Sequence, residues 1–443
     1  MAFTDVNSLG LSPKNAAHVN RRILQSALDR SGNVVISEPG IYDVDGTLLI
    51  GSNTTFECAN GVYLRKVQSV EPELANGFTY VLINRGAFTK NWDEHIVVKN
   101  LSIIVNNIKT VERDRNLQVS DQYIVPGLRG QLAFFYIRDL VVDGIRIGDL
   151  EPSNFGIHIC TFEDIKVTNC IIIGKKDGVH LGRGHRFLIS NCVFDTFDDA
   201  VALNAHDYDS SNPELGSIED GVIEKCYDVN PEKAVGYFCR ILAGAWVDWY
   251  EGMEVQKSDT VVSDGRLYRV FASPDGQKFI SRTRPTHESG RVTLDGINWQ
   301  MVQTDITYEA AVRNVTFRDI FLYKPRCAFS VHFDHDVWSR SFYPGAQNPL
   351  QEQIVFDNVR VLHDGKVSFI SIVTPIDSMI IANCSLRDND IVFYNPANLE
   401  NIGDTKLIIS NCLAKVSNIR SLLHNNIEGK TVHVTLDGSS FTI

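Results

Sequence analysis

Long apolar runs are missing from this 443-residue chain. No segment approaches the roughly 18 uninterrupted apolar residues that mark a membrane-spanning helix, so none is expected. Basic charge is also short: 42 Lys and Arg stand against 54 Asp and Glu, a formal net charge of −12. General affinity for nucleic acid or an anionic membrane needs a basic surface that displaces counterions. Neither partner is expected; a neutral partner fits, or an acidic one met by a local basic patch. Proline is sparse at 14 residues, and with 31 Gly and 44% apolar residues the chain has neither a collagenous nor a disordered composition. The opening residues MAFTDVNSLGL hold no basic n-region and no apolar h-region, so no secretory leader is expected in the chain as written. They leave its compartment open, and nothing in the sequence specifies an oligomeric state.

Paired short cysteine spacings are lacking too. The nine cysteines are odd in number, which is poor support for a disulfide framework. Five of them, Cys170, Cys192, Cys226, Cys384 and Cys412, close the phrases VTNC, LISNC, VIEKC, IIANC and IISNC. Reduced buried cysteines behave as small apolar residues, so these are read as ladder positions in a stack.

What the chain does have is a recurring phrase. Without cysteine it returns as VVKNLSI, LVVDGIRI, VTFRDIFL and IVFDNVRV. Asn100, Asp143, Asn169, Asn191, Lys225, Asp319, Asn358, Asn383 and Asn411 are taken as one register. The step from Asn169 to Asn191 is 22 residues, close to one turn of a parallel β-helix. Each unit is a short strand of alternating apolar residues, a polar turn and a second strand. Such strands cannot bury their inner faces alone, and stacking them about 4.8 Å apart makes one elongated core. Asn and Asp tolerate left-handed φ, which suits a repeating corner. An all-β solenoid is therefore expected, in preference to a β-sandwich.

Two segments break the pattern. Residues 14–29 place Val19, Ile23, Ala27 and Leu28 on one helical face, a candidate cap for the first turn. Residues 246–309 hold three of the five tryptophans, several Asp-Gly turns and no repeat phrase. They are read as a small β module inserted between residues 1–245 and 310–443. Its aromatics Trp246, Trp249, Tyr250, Tyr268 and Trp299 suit either the core of so small a unit or stacking on sugar rings.

The chemistry concentrates in KKDGVHLGRGHRFLISNCVFDTFDDAVAL, residues 175–203. Asp177 and Asp198 are 21 residues apart, about one turn, so they are expected to be neighbours in space. Asp199 adds a third carboxylate; strand alternation sends it to the opposite face unless a bend brings both out. Clustered carboxylates cannot all ionise cheaply, so one holds a proton for a leaving group while another stays charged to activate water. Glycoside hydrolysis asks for that division. Lys175, Lys176, Arg183, His185 and Arg186 crowd the same place. This patch suits an anionic sugar, or an ion-pair network that balances the acids.

The phrases DGVHLGR, Asp177 to Arg183, and FDDAVAL, Phe197 to Leu203, resemble the polygalacturonase family of glycoside hydrolases. Its members read Asn-Thr-Asp-Gly-Ile-(His or Asp)-Ile and, about one turn later, Gly-Asp-Asp-Cys-(Ile or Val). The stretch Gly32 to Leu64 is similar to that family's N-terminal turn. The resemblance runs over roughly residues 20–245 and implies a right-handed parallel β-helix that hydrolyses polyuronides or related sugars with inversion and without metal or other cofactor. It implies Asp198 as general acid, with Asp177 and Asp199 holding the attacking water. Lys175 and Lys176 replace the Asn-Thr pair, Phe197 replaces a Gly, and FCRILAG keeps an arginine, Arg240, but loses a lysine. These departures point to a glycan other than pectin. Lys176, His180, Arg183, His206 and Arg240 are the candidate substrate-binding residues; His180 suits a structural role as well. The run HFDHD, His332 to Asp336, is read as a loop at the cleft edge. A polysaccharide lyase on the same fold and a glycan-binding or tail-type rod are the competing functions.

Overall fold

A computed structural model describes residues 3–67, 80–105, 125–151, 154–333, 340–388, 390–393, 405–415, 419–425, 432–436 and 439–442. Its strands stack into a parallel β-helix with three faces. The first face runs from Gly32–Ile36 through Thr54–Cys58, Asp93–Lys99, Gly130–Asp143, Phe155–Thr168, Gly184–Ser190, Ile218–Glu224 and Val312–Leu322 to Val432–Leu436, every rung parallel. The third face, which carries the acidic phrases, includes Val179–Leu181, Val201–Asn204, Cys239–Leu242 and Phe329–His332. Val179, Leu181, Val201, Leu203, Cys239 and Ile241 point inward to one continuous apolar core. On the first face the alternation read from the sequence is the in–out pattern of a strand with one buried face, as in Thr54–Cys58, whereas Val179–Leu181 and Val201–Asn204 are buried on both sides.

Eight of the nine expected corners have left-handed backbone: Asn100, Asn169, Asn191, Lys225, Asp319, Asn358, Asn383 and Asn411 have φ between 50° and 57°. Asp143 is the exception. It pairs with Thr168, so the next residue, Gly144, occupies the corner with φ 70°. Glycine adopts that conformation more cheaply than aspartate, and this fixed the register. Asp143 instead accepts the Asn169 Nδ2 hydrogen at 2.6 Å. Asn191 Nδ2 donates to Asn169 Oδ1 at 2.6 Å, and Asn358 to Asp319 at 2.6 Å, so the corners are also a side-chain ladder. All nine cysteines are free, and Cys170, Cys192, Cys226 and Cys384 are buried in the stack.

The helix Ala17–Leu28 covers the first turn, with Ala27 and Leu28 buried and Ile23 packed against the core as expected, but with Val19 turned outward, 36% exposed, and Asn20 and Leu24 buried as well. A cap must satisfy the backbone groups of the turn it covers, and polar residues set this face. Asn20 Nδ2 donates to the Asp43 carbonyl at 3.2 Å, and Gln25 exchanges hydrogen bonds with the Leu49 backbone at 2.8 and 2.9 Å.

The repeat is interrupted after Leu242. Gly244–Ala245 pairs antiparallel with Glu309–Ala310, and between them a five-stranded, mostly antiparallel sheet forms from Val247–Asp248, Thr260–Ser263, Arg266–Val270, Arg291–Leu294 and Ile297–Gln303. Trp246, Trp249, Tyr268 and Trp299 are buried, so these aromatics are core; Tyr250 is 52% exposed. The loop after Asn204 runs beneath this sheet. There Arg269, fully buried, donates to the carbonyls of Asp209 and Asn212.

Candidate active site

Asp177 and Asp199 enter the third face at the same point of successive turns. The Gly178 amide donates to the Asp199 carbonyl, and Val179 pairs with Val201. The step is 22 residues, so the strict partner of Asp198 is Lys176. The chain bends at this corner before the regular alternation of Val201–Asn204 begins, and the bend lets consecutive acids face one place. Oxygens of Asp177, Asp198 and Asp199 all lie within 4.8 Å of one another.

Their surroundings differ. Asp177 and Asp199 are recessed, with side chains 5% and 3% exposed, whereas Asp198 keeps 26% at the mouth. Lys176 forms an ion pair with Asp198 and stands 3.9 Å from Asp177. His180 Nδ1 is 2.9 Å from Asp177 Oδ2, its ring is stacked on Phe155 at 4.1 Å, and its Nε2 lies 3.5 Å from Asp207. Arg240 is 3.5 Å from both Asp199 and Asp207, and the Tyr237 amide donates to Asp199 Oδ1 at 2.8 Å.

These environments separate three chemically identical groups. Burial works to raise the Asp177 carboxyl, but Lys176, His180 and Arg240 outweigh it and hold it well below the usual carboxylate range. Burial raises Asp198 above its ordinary value, the Asp177 charge adding to it and Lys176 opposing. Asp199 is pushed up to about 8 by burial, with the Asp198 and Asp177 charges adding and Arg240 opposing. Ionising one carboxyl makes the others reluctant, which is the behaviour of a coupled cluster. Three carboxylates also form a donor set for a hard cation. Here the ammonium of Lys176, raised by Asp177 and Asp198 against the lowering effect of burial, supplies positive charge from the chain itself.

Lys176, His180 and Arg240 are thus brought to the acids, and Arg183 and His206 are not. Arg183 follows Asp177 by six residues, roughly 20 Å along an extended strand. It pairs instead with Glu214 and Asp305. His206 is buried against Trp246 and Thr260 beneath the inserted sheet. The basic patch is a network: Lys175 pairs with Glu151, His185 with Glu163, and Arg186 with Glu163 and Asp164. Of the run HFDHD, residues 334–336 lie outside the described residues. Asp207, which the sequence places beside His206 just past the acids, does reach the cluster: it lies 3.5 Å from His180 and from Arg240, in the bend that follows Val201–Asn204.

No protein-family model matches the sequence, and no curated protein sequence matches it. Solved structures do. The chain is similar to a hyperthermoactive exopolygalacturonase from Thermotoga maritima, with TM-score 0.51 and 13% identity over 100% of this chain and 93% of that one. Further matches are a family 28 exopolygalacturonase of Yersinia enterocolitica, with TM-score 0.48 and 13% identity over 97% and 79% of the two chains, and the surface adhesin PfbA of Streptococcus pneumoniae, with 0.48 and 11% over 100% and 98%. Together with the parallel three-faced stack, the Thermotoga likeness identifies the fold of this chain as a right-handed parallel β-helix.

Proposed function

We propose that this protein is a polygalacturonase-like glycoside hydrolase that cleaves a poly- or oligosaccharide by single displacement, with inversion at the anomeric carbon. The observation that carries the reading is the convergence of Asp177, Asp198 and Asp199, one of them at the mouth and two recessed. Asp198 is the general acid, because it alone of the three is appreciably exposed and its carboxyl is raised. Asp177, held ionised, draws a proton from the attacking water, and Asp199 fixes that water from its other side.

The oxygens are closer than the carboxyl separation of roughly 6.5–9.5 Å usual for inverting glycosidases. Spacing alone would favour retention, and burial argues the other way. A carboxylate nucleophile must touch the anomeric carbon, and with Asp198 used as the acid only the recessed pair remains. Those two suit holding a water.

Lys176 on the acid is the feature most relevant to substrate. An anionic group of the sugar that drew Lys176 away would release Asp198 to take up its proton, which supports an acidic glycan. The test is a panel of plant, algal and host glycans assayed for new reducing ends, with proton NMR of the first anomer released. Reducing ends with inverted configuration support the reading. Unsaturated products absorbing in the ultraviolet, as a lyase makes, would overturn it.

A further inference from the structure

The peptide between Asp198 and Asp199 has to leave the strand alternation for both carboxyls to face one cluster, and residues far along the chain hold it. The Asp199 carbonyl accepts the Gly178 amide in the regular ladder. The Asp198 carbonyl is served by side chains instead. Arg326 Nη1 donates to it at 2.6 Å and Thr196 Oγ1 at 3.0 Å. Arg326 is 128 residues downstream, across the inserted sheet.

Arg326 is itself fixed. Its Nε and Nη2 each donate to the Asp228 carboxylate at 2.9 Å, in a buried two-pronged pair. Its neighbour Lys324, also buried, donates to Asp195 at 2.9 Å and to the Thr196 carbonyl at 2.7 Å. A guanidinium held by two parallel bonds has one orientation left for its third nitrogen. Gly236 adds an independent contact. A Cβ there would come 2.3 Å from the Asp198 carbonyl carbon and 2.5 Å from the Asp199 nitrogen, so the absence of a side chain lets the backbone lie against this peptide.

We propose that Arg326 and Gly236 are positioning residues for the acidic cluster: together they set the Asp198–Asp199 peptide so that both carboxyls converge on Asp177. The catalytic meaning of this rests on the reading of Asp198 as the acid, while the positioning itself does not depend on any substrate. Neither residue touches the reacting groups. Each acts through the backbone of those that do.

Two variants test it: Arg326→Met combined with Asp228→Leu, which removes the buried pair without stranding a charge, and Gly236→Ala. Both are compared with wild type by 13C NMR titration of labelled aspartate carboxyls, the Asp199 signal being assigned with Asp199→Asn. In the wild type burial pushes the Asp199 carboxyl up to about 8, with the Asp198 and Asp177 charges adding. In folded variants its midpoint falls by about one unit or more as the charges spread apart. On a glycan that the wild type cleaves, kcat falls about 100-fold with KM little changed, as expected for a small misplacement of the acid. Arg326→Lys, which keeps the charge but loses the fork, restores neither. A folded double variant with wild-type titration would overturn the proposal, and Gly236→Ala decides if the double variant does not fold. A shifted titration in a protein that cleaves no glycan would leave the positioning in place and sink the hydrolase reading alone.

Discussion

Asp177 stands one turn beneath Asp199, joined through the Gly178 amide and the Asp199 carbonyl, and the two carboxyls are driven in opposite directions. The cations beside Asp177 overcome its burial; burial and its neighbours' charges overcome the single arginine beside Asp199.

The raised carboxyl makes stability depend on pH. A group whose folded midpoint lies above its unfolded value contributes stability below the unfolded value, and loses it as pH rises through the folded one. For Asp199 that window runs from 3.8 to about 8. Asp199→Asn imitates the neutral form, so its advantage over wild type should grow between pH 4 and pH 9, to at least about 1 kcal/mol. Thermal melts at the two ends of this range check it, and a difference that does not vary with pH would contradict it.

Lys176 lowers both Asp177 and Asp198. Lys176→Met should therefore raise both midpoints. With the proposed roles, in which Asp177 is the base and Asp198 the acid, the acid and alkaline limbs of kcat/KM both move upward by about a unit or more. A profile that narrows or moves to lower pH is the opposite of what is expected.

The corner ladder has separable parts. Asn191→Gly keeps left-handed backbone at φ 56° but loses the bond to Asn169, which should cost about 0.5–1 kcal/mol. Asn191→Ala loses the same bond but, unlike the glycine variant, carries a β-carbon in that conformation, and should be about 1 kcal/mol less stable than Asn191→Gly. Denaturant midpoints of the two variants measure each part, and equal costs would remove the conformational argument.

The inserted sheet is tied to the helix by Arg340, which donates to Asp259 Oδ1 at 2.9 Å, and Asp259 is fully buried. Burial pushes that carboxyl up to about 6 against the pull of Arg340. Arg340→Met leaves the acid without its counter-charge and should cost about 3–5 kcal/mol. Adding Asp259→Leu should recover most of that. Urea unfolding of the single and double variants decides between a true pair and two independent losses.

The solenoid and its acids were legible because their signals are local and periodic. The Asn corners and the flanking apolar alternation repeat in a few residues each, and Asp177 and Asp198 sit inside that period. What failed was register at the level of one residue: Gly144 took the corner assigned to Asp143, and Asp199, not Asp198, is the partner of Asp177. The helix face was right at Ile23, Ala27 and Leu28 and off at Val19, because Asn20 and Gln25 bond the backbone beneath them, which an apolar pattern does not reveal. Arg183 and His206 were misplaced by treating nearness in sequence as nearness in space. Arg326 and Gly236 had no signal at all: each acts through a backbone contact, and Arg326 comes from beyond the inserted sheet.

The most direct test of the account is Asp198→Asn on a glycan that the wild type cleaves. Loss of an acid that protonates the leaving group should lower kcat by about 100- to 10,000-fold, with folding and glycan binding retained. Hydrolysis at the wild-type rate by the folded variant would show that Asp198 is not the acid, and the assignment of the cluster would fall with it.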